Sequence, residues 1–270
     1  MSYKQIEYEK KERIAIIRAN RPRYRNAQSR ILLEEMDSAF IDAEQDPGIH
    51  VVILQGAGEH FSAGHDLGTP EELEDAKKRP YTADTLGHIQ RTWDLFVDAS
   101  LRWRDLKKPT IAQVQGYCIF GGYLIASCMD LIIASEDALF LPSHLQLFTA
   151  PWDLGIRKAK AILFENRFIP AQEAYELGLV HKVVPREDLE SETWAQAERI
   201  AENDLLALRM LKQSINGAQD AMGYRTSVHT AHSNYMVLIS GRPLRDKDER
   251  RLAGVGAALR KLQDTPDNDQ

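Results

Sequence analysis

Cysteine is nearly missing from this 270-residue chain, and the only two, Cys118 and Cys128, fall inside one apolar stretch. That excludes a disulfide framework and favours a reducing compartment. With no base beside either in sequence, both read as buried, inert thiols. An excess of positive charge is missing too. Lys and Arg number 34 against 40 Asp and Glu, a formal net charge of -6, the wrong sign for a protein that grips nucleic acid through its overall field. No signal-peptide core forms at the start, because charges interrupt every apolar run between Met1 and Lys10, so the cytoplasm is the expected location. One segment imitates a membrane span: Cys118 to Ser135 carries the single charge Asp130. Gly121 and Gly122 near its start and the strand-like Leu131 to Ala134 at its end fit a buried helix followed by a buried strand instead. No membrane association is expected. Nor do the eight histidines form a His-x-x-x-His pair beside an acid, so no metal is expected.

What is present is an ordinary soluble composition, 43% hydrophobic and 27% charged, long enough for one large or two small domains. Short runs rich in Ile and Val at Ile14 to Ile17, Val51 to Leu54, Thr110 to Val114, Leu131 to Ala134 and His181 to Val184 predict strands. Between them lie helical spacings, such as Ile31, Leu32, Met36, Phe40 and Ile41 after a Ser29 cap, which turn one apolar stripe toward a sheet. Strand-helix alternation of this kind predicts an α/β fold with right-handed crossovers. Arg79 to Leu106 reads as a loop and a long helix with Trp93, Phe96 and Trp103 as packing residues. From Leu189 onward the pattern is helical only. The expected organisation is a core over residues 1–188, a helical subdomain over 189–262 and a fraying polar tail over 263–270. The polar stretch Gly68 to Pro80 is expected to be a mobile loop.

Two segments point to chemistry. His60-Phe-Ser-Ala-Gly-His-Asp-Leu-Gly68 follows a predicted strand, and its small residues let a ligand approach the main chain. Gln115-Gly-Tyr-Cys-Ile-Phe-Gly-Gly-Tyr123 follows another and runs into an apolar helix expected to begin near Gly121 and Gly122. Amides at a helix start point outward, and two of them from separate loops can hold an oxygen that becomes anionic during reaction. A pair of glycines at a strand-to-helix turn is equally compatible with a tight connection alone. No Lys-Ser or Lys-Thr follows the glycines, which excludes a phosphate loop, and no Gly-x-Ser-x-Gly elbow is present.

In this order and spacing, Asn20 to Ala27, Phe61 to Leu67, Gly116 to Gly122 and Ala174 to Val180 closely resemble the crotonase superfamily of enoyl-CoA hydratases and isomerases, over about Ile6 to Leu211. The resemblance implies a crotonase-like spiral of repeated β-β-α units with a C-terminal helical trimerisation region, in trimers or dimers of trimers. It implies a coenzyme A thioester as substrate and no tightly bound cofactor. It places the two oxyanion amides on His65 and Gly121, leaving the His65 imidazole as a rim group or a participant. Ala63, Asp66, Leu67 and Gly68 match the stretch lining the adenine and pantetheine path. Arg23 and Arg25 match the segment passing the nucleotide end, where guanidinium groups suit phosphate; solvated loop charges are the plain alternative.

The departures bear on mechanism. Hydratases of that superfamily grip water with two glutamates, and the matching positions here are Leu124, which moves no proton, and His144. A histidine near its ordinary pKa serves as acid or base around neutral pH. Pro151-Trp-Asp-Leu-Gly155 resembles the Asp-Val-Gly of dienoyl-CoA isomerases, one residue out of step with that pattern, so Asp153 is a candidate base or nucleophile, or else a helix cap. Trp152 and Phe148 beside it suggest a bulky acyl pocket or plain core packing. The expected activity is isomerase or lyase chemistry through a thioester enolate at His144 and Asp153, not efficient hydration of a straight-chain enoyl-CoA. The alternatives are a catalytically silent acyl-CoA binder and a crotonase-fold hydrolase of cyclic diketones that needs no coenzyme A.

Overall fold

A computed structural model describes residues 3–82, 84–142, 145–240 and 256–262. Its main sheet has six strands in the order β1-β2-β3-β4-β6-β9: β1 (Ile6–Lys11), β2 (Ile14–Ala19), β3 (Val51–Gly56), β4 (Thr110–Val114), β6 (Leu131–Ser135) and β9 (Lys182–Val184). Only β1 runs antiparallel to its neighbour. A smaller sheet joins β5 (Tyr117–Ile119), β7 (Leu139–Leu141) and β8 (Ile169–Pro170). The parallel strands read as continuous apolar runs because both faces are covered. One set of alternating residues, Ala15, Ile17, Val52, Leu54, Ala112 and Val114, packs with Leu32, Leu33, Met36 and Phe40 of α1 (Arg30–Gln45). The other set, Ile14, Ile16, Val51, Ile53 and Ile111, packs with Leu189, Ala197 and Ala201 of α9 (Leu189–Ala201). Ser29 caps α1 as expected, its Oγ accepting from the Leu32 amide at 3.1 Å.

The predicted strands all form, while β1, β5, β7 and β8 were not anticipated. The long helix after residue 79 is a continuous run of α3 (Thr85–Thr92), a π-helical turn (Trp93–Asp98) and α4 (Ala99–Arg104). The expectation of a mobile loop over 68–80 is corrected: Pro70–Lys78 is α2. Pro70 opens it, Glu71 and Glu72 sit in the first turn and Lys77 and Lys78 in the last, the arrangement a helix dipole favours. Glu72 anchors it by accepting from the Arg30 amide and the Arg91 guanidinium. With one large apolar residue, Leu73, the segment carries no periodicity to read.

Helices α5 (Gly121–Ala126), α6 (Ala150–Leu154), α7 (Ile156–Glu165) and α8 (Ala171–Glu176) connect the strands. After α9 come α10 (Leu205–Ala221), α11 (Tyr224–Ser240) and a helical segment at 256–262. Helix α9 covers one face of the main sheet. On α10, Leu211 and Ile215 are 60% and 67% exposed and share one helical face, and Met222, 69% exposed, caps its end. No described helix is long and apolar enough to cross a membrane.

Candidate active site

Three segments distant in sequence lie side by side beyond the carboxyl ends of β2, β3 and β4, where open parallel sheets bind ligands. Residues 25–28 bond to residues 63–66: Ala63 N donates to Arg25 O at 2.9 Å, Gln28 N to Gly64 O at 2.8 Å and Asp66 N to Gln28 O at 3.0 Å. Residue 62 also bonds the third segment, Ser62 N donating to Tyr117 O at 2.9 Å and Ile119 N to Ser62 O at 3.1 Å. Since the Gly64 carbonyl points at Gln28 and N–H and C=O oppose one another across a planar trans peptide, the His65 N–H points the other way. That is the side on which residues 117–121 run.

Gly121 is the first residue of α5, so no carbonyl four residues back lies inside the helix to accept its N–H. Its nitrogen is 3.0 Å from where a Cβ on Gly64 would sit, and a Cβ on Gly121 would meet Gln28 Oε1 at 2.4 Å and the His65 ring at 2.8 Å. The two loops therefore approach as closely as glycine permits. Phe120, just before, holds φ 51° and ψ -111°, a region glycine favours, at a cost of about 1–3 kcal/mol. Helix α5 begins at the predicted residue but has only six residues. The local amides, not a long helix's dipole, set the field at its start.

The His65 imidazole is a wall of this site. Its ring lies 3.8 Å from that of Phe96 in the π-helical turn, and Nε2 is 2.8 Å from Gln146 Oε1. Gln146, 1% exposed, donates through Nε2 to the Tyr235 hydroxyl at 3.1 Å. An amide that donates to Tyr235 presents its oxygen to His65, which sets the imidazole proton on Nε2. Sequence reasoning missed Gln146 because nothing local links residue 146 to residues 65 and 235.

Asp66, Leu67 and Gly68 border a cleft of about 620 Å³ walled by α2, α3 and α11. The Asp66 carboxylate is committed, however. Its side chain is fully buried, pairs with Arg21 at 2.8 Å and accepts from the Gly68 amide, the Thr69 amide and the Thr69 hydroxyl. Those bonds hold it below the usual carboxylate range against the opposing effect of burial. Asp66 thus borders the cleft while its carboxylate fastens the loop. Leu67 is exposed. Ala63 packs instead near Tyr117 and Phe120, beside the small sheet. Arg23 and Arg25 are exposed, over the rings of Tyr24 and Tyr117.

Next to Gly121, a cavity of about 10 Å³ is lined by Phe120, Tyr123, Leu124, Pro142, Leu147, Phe148, Thr149 and Ala150, about the least space that holds one water. Asp153 sits behind it. The Tyr123 hydroxyl donates to Asp153 Oδ2 at 3.0 Å. Burial raises the Asp153 pKa to about 6, with Thr149 and Tyr123 opposing, so its charge changes near neutral pH. Tyr123 was not singled out in the sequence, where a tyrosine after two glycines reads as packing. Trp152 is a packing residue, donating to Ser227 Oγ at 2.9 Å and lying edge-on to Tyr224. His144 lies outside the described residues. Among the described residues no three His, Cys, Asp or Glu side chains gather as metal ligands would.

Sheet, connections and glycine-lined loops together define a mixed α/β fold of β-β-α units followed by helices. The sequence profile described as Enoyl-CoA hydratase/isomerase matches residues 9–241. The chain is 39% identical over 235 residues to EchA13 of Mycobacterium tuberculosis, assigned as an enoyl-CoA hydratase, covering 80% of this chain and 74% of that one. A crystal structure from Mycobacterium smegmatis, also assigned as an enoyl-CoA hydratase, superposes with a TM-score of 0.79 at 38% identity, over 88% of this chain and 94% of that one. An enoyl-CoA hydratase/isomerase from Xanthobacter autotrophicus Py2 superposes with 0.80 at 29% identity, over 96% and 97%. The chain belongs to the enoyl-CoA hydratase/isomerase family. An enzyme of that family is the reading the relatives support, and neither the silent binder nor the diketone hydrolase is favoured by them.

Proposed function

We propose that this protein binds an acyl-CoA thioester, holds its carbonyl oxygen between the amides of His65 and Gly121, and passes through an enolate to isomerase or lyase products. The observation that carries this is the Gly64–His65 peptide: its carbonyl is tied to Gln28, so its N–H faces the loop that ends at Gly121. Two fixed donors stabilise charge that grows on the oxygen only in the transition state, and removing one such donor costs about 2.7–4 kcal/mol. Leu124, 2% exposed and apolar, takes the place of a water-gripping carboxylate, which argues against efficient hydration. The proton carriers are Asp153 and His144, and the cleft beside Leu67 and Gly68 takes the pantetheine arm.

Solvent deuterium exchange at the carbon next to the thioester tests the reading. Exchange into butyryl-CoA that falls in a Gly121→Ala variant supports it. No exchange across a panel of acyl-CoAs that nevertheless bind would leave a silent binder, and no binding would leave the diketone hydrolase. Hydration of crotonyl-CoA at ordinary enzyme rates, unchanged in His144→Ala and Asp153→Asn variants, would remove the mechanistic part. The apolar face of α10, with Leu211 and Ile215 outward and Met222 at its end, is the surface through which the chain assembles into trimers, alone or paired.

A further inference from the structure

Resting on that enolate reading, we propose that Tyr123, not Asp153, touches the reacting carbon, and that the two work in series as a proton relay. Tyr123 borders the cavity beside Gly121 together with Leu124, Phe148 and Thr149, whereas Asp153 is not among its lining residues. Tyr123 is 4% exposed, lines the cavity and has its hydroxyl 3.0 Å from Asp153 Oδ2. The backbone amide of Asp153 donates to Thr149 O at 3.1 Å, which ties its position to the cavity wall that Thr149 lines, and the phenol holds the carboxylate from the other end. Leu124, one residue further along α5, supplies no competing group.

The step balances within the site. The Cα–H bond breaks and its electron pair forms the enolate double bond, while the thioester C=O becomes C–O⁻ between the two amides. The released proton forms a new O–H bond on the Tyr123 oxygen as the proton already there passes to Asp153 Oδ2. Reversal returns a proton to the same carbon, giving exchange, or to one further along the acyl chain, giving isomerisation. No co-reactant is needed. The titratable groups facing the pair are Cys118 on β5, Cys128 just after α5 and Tyr224 on α11. Burial drives Cys118 and Tyr224 well up and Cys128 to about 12, so among the described residues Asp153 is the member of this cluster that changes charge near neutral pH.

The test compares wild type, Tyr123→Phe, Asp153→Asn and the double variant, each titrated calorimetrically with butyryl-CoA and assayed for deuterium exchange. Each single variant is expected to bind within about threefold of wild type and to exchange roughly 10²- to 10⁴-fold more slowly, the range for loss of a general acid or base. Groups in series give a double variant no slower than the slower single one. Wild-type exchange in Tyr123→Phe beside slow Asp153→Asn would overturn the relay and leave Asp153 as the direct base; losses that multiply in the double variant would overturn it as well. A wild type that binds but never exchanges would instead sink the enolate reading. Should Tyr123→Phe fail to fold, trifluorotyrosine at position 123 keeps the side chain's shape while making its proton more acidic. Its pH profile of exchange is expected to move, and an unmoved profile overturns the proposal.

Discussion

Replacing Asp153 by asparagine is expected to stabilise the fold while slowing its chemistry, and only above mildly acid pH. The carboxyl pKa rises from 3.8 to about 6 because ionisation is disfavoured by burial. At 1.36 kcal/mol per pH unit, that rise amounts to about 3 kcal/mol. Between pH 4 and 6 the unfolded chain has released this proton and the folded one has kept it. Stability therefore falls by about 3 kcal/mol as pH rises through that window and stays level above it. Asparagine keeps an oxygen that accepts from Tyr123 and has no charge to bury. The difference in unfolding free energy between Asp153→Asn and wild type, measured by urea titration at pH 4, 5, 6 and 8, is predicted to grow from near zero to about 3 kcal/mol and then stay level. A difference of constant size across the series would show that this carboxylate does not titrate near 6, and its assignment as a proton carrier would lose its support.

The remaining expectations concern geometry. Gly121→Ala places a methyl carbon within 2.4 Å of Gln28 Oε1 and 2.8 Å of the His65 ring; displacement of the amide is expected to lower exchange by about 10²- to 10³-fold, checked against unchanged coenzyme A binding. Phe148→Ala opens the cavity beside Tyr123, and competition between butyryl-CoA and octanoyl-CoA is expected to shift by about tenfold or more toward the longer chain, the scale that apolar pocket contacts set. Leu211→Glu with Ile215→Glu puts two charges on the exposed face of α10, and sedimentation is expected to show the assembly replaced by monomers. Gln146→Leu leaves the ring of His65 and the hydroxyl of Tyr235 without their shared bond, costing about 1–3 kcal/mol of stability.

What the sequence shows of the fold follows from how its strands are covered. Strands β2, β3, β4 and β6 carry α9 on one face and the main core on the other, so nearly every position is apolar and the runs stand out. Strand β1, Ile-Glu-Tyr-Glu-Lys-Lys, is an edge with one neighbour; its polar residues face water, and its pattern resembles a loop. Strands β5 and β7 have three residues each, too short for any alternation to register. Helix α2 was hidden for the opposite reason, being held by Glu72, which accepts from the Arg30 backbone amide and pairs with the Arg91 guanidinium, both distant in sequence. At the site, the close approach of the loops was legible because it demands glycine: Gly64 and Gly121 stand where another side chain would strike the facing loop. Roles that depend on a partner were not. The commitment of Asp66 to Arg21, the hold of Gln146 on His65 and the contact of Tyr123 with Asp153 each join residues 30 or more positions apart.

The division between backbone and side-chain roles also explains how chemistry in this fold can change while the substrate class stays. On the proposed reading, an amide pair set by strand endings and by peptide planarity tolerates almost any side chain at 65, here an imidazole whose ring lies tilted against Phe96. Proton carriers have no such protection, because each needs a particular side chain in a particular environment. Leu124 makes one wall of the cavity inert, and the neighbouring residue in the same helix, Tyr123, reaches a carboxylate on α6 that burial tunes toward neutral pH. A hydratase needs two groups holding a water. On the proposed reading, a wall with one phenol bonded to one carboxylate serves the transfer of a single proton along an acyl chain.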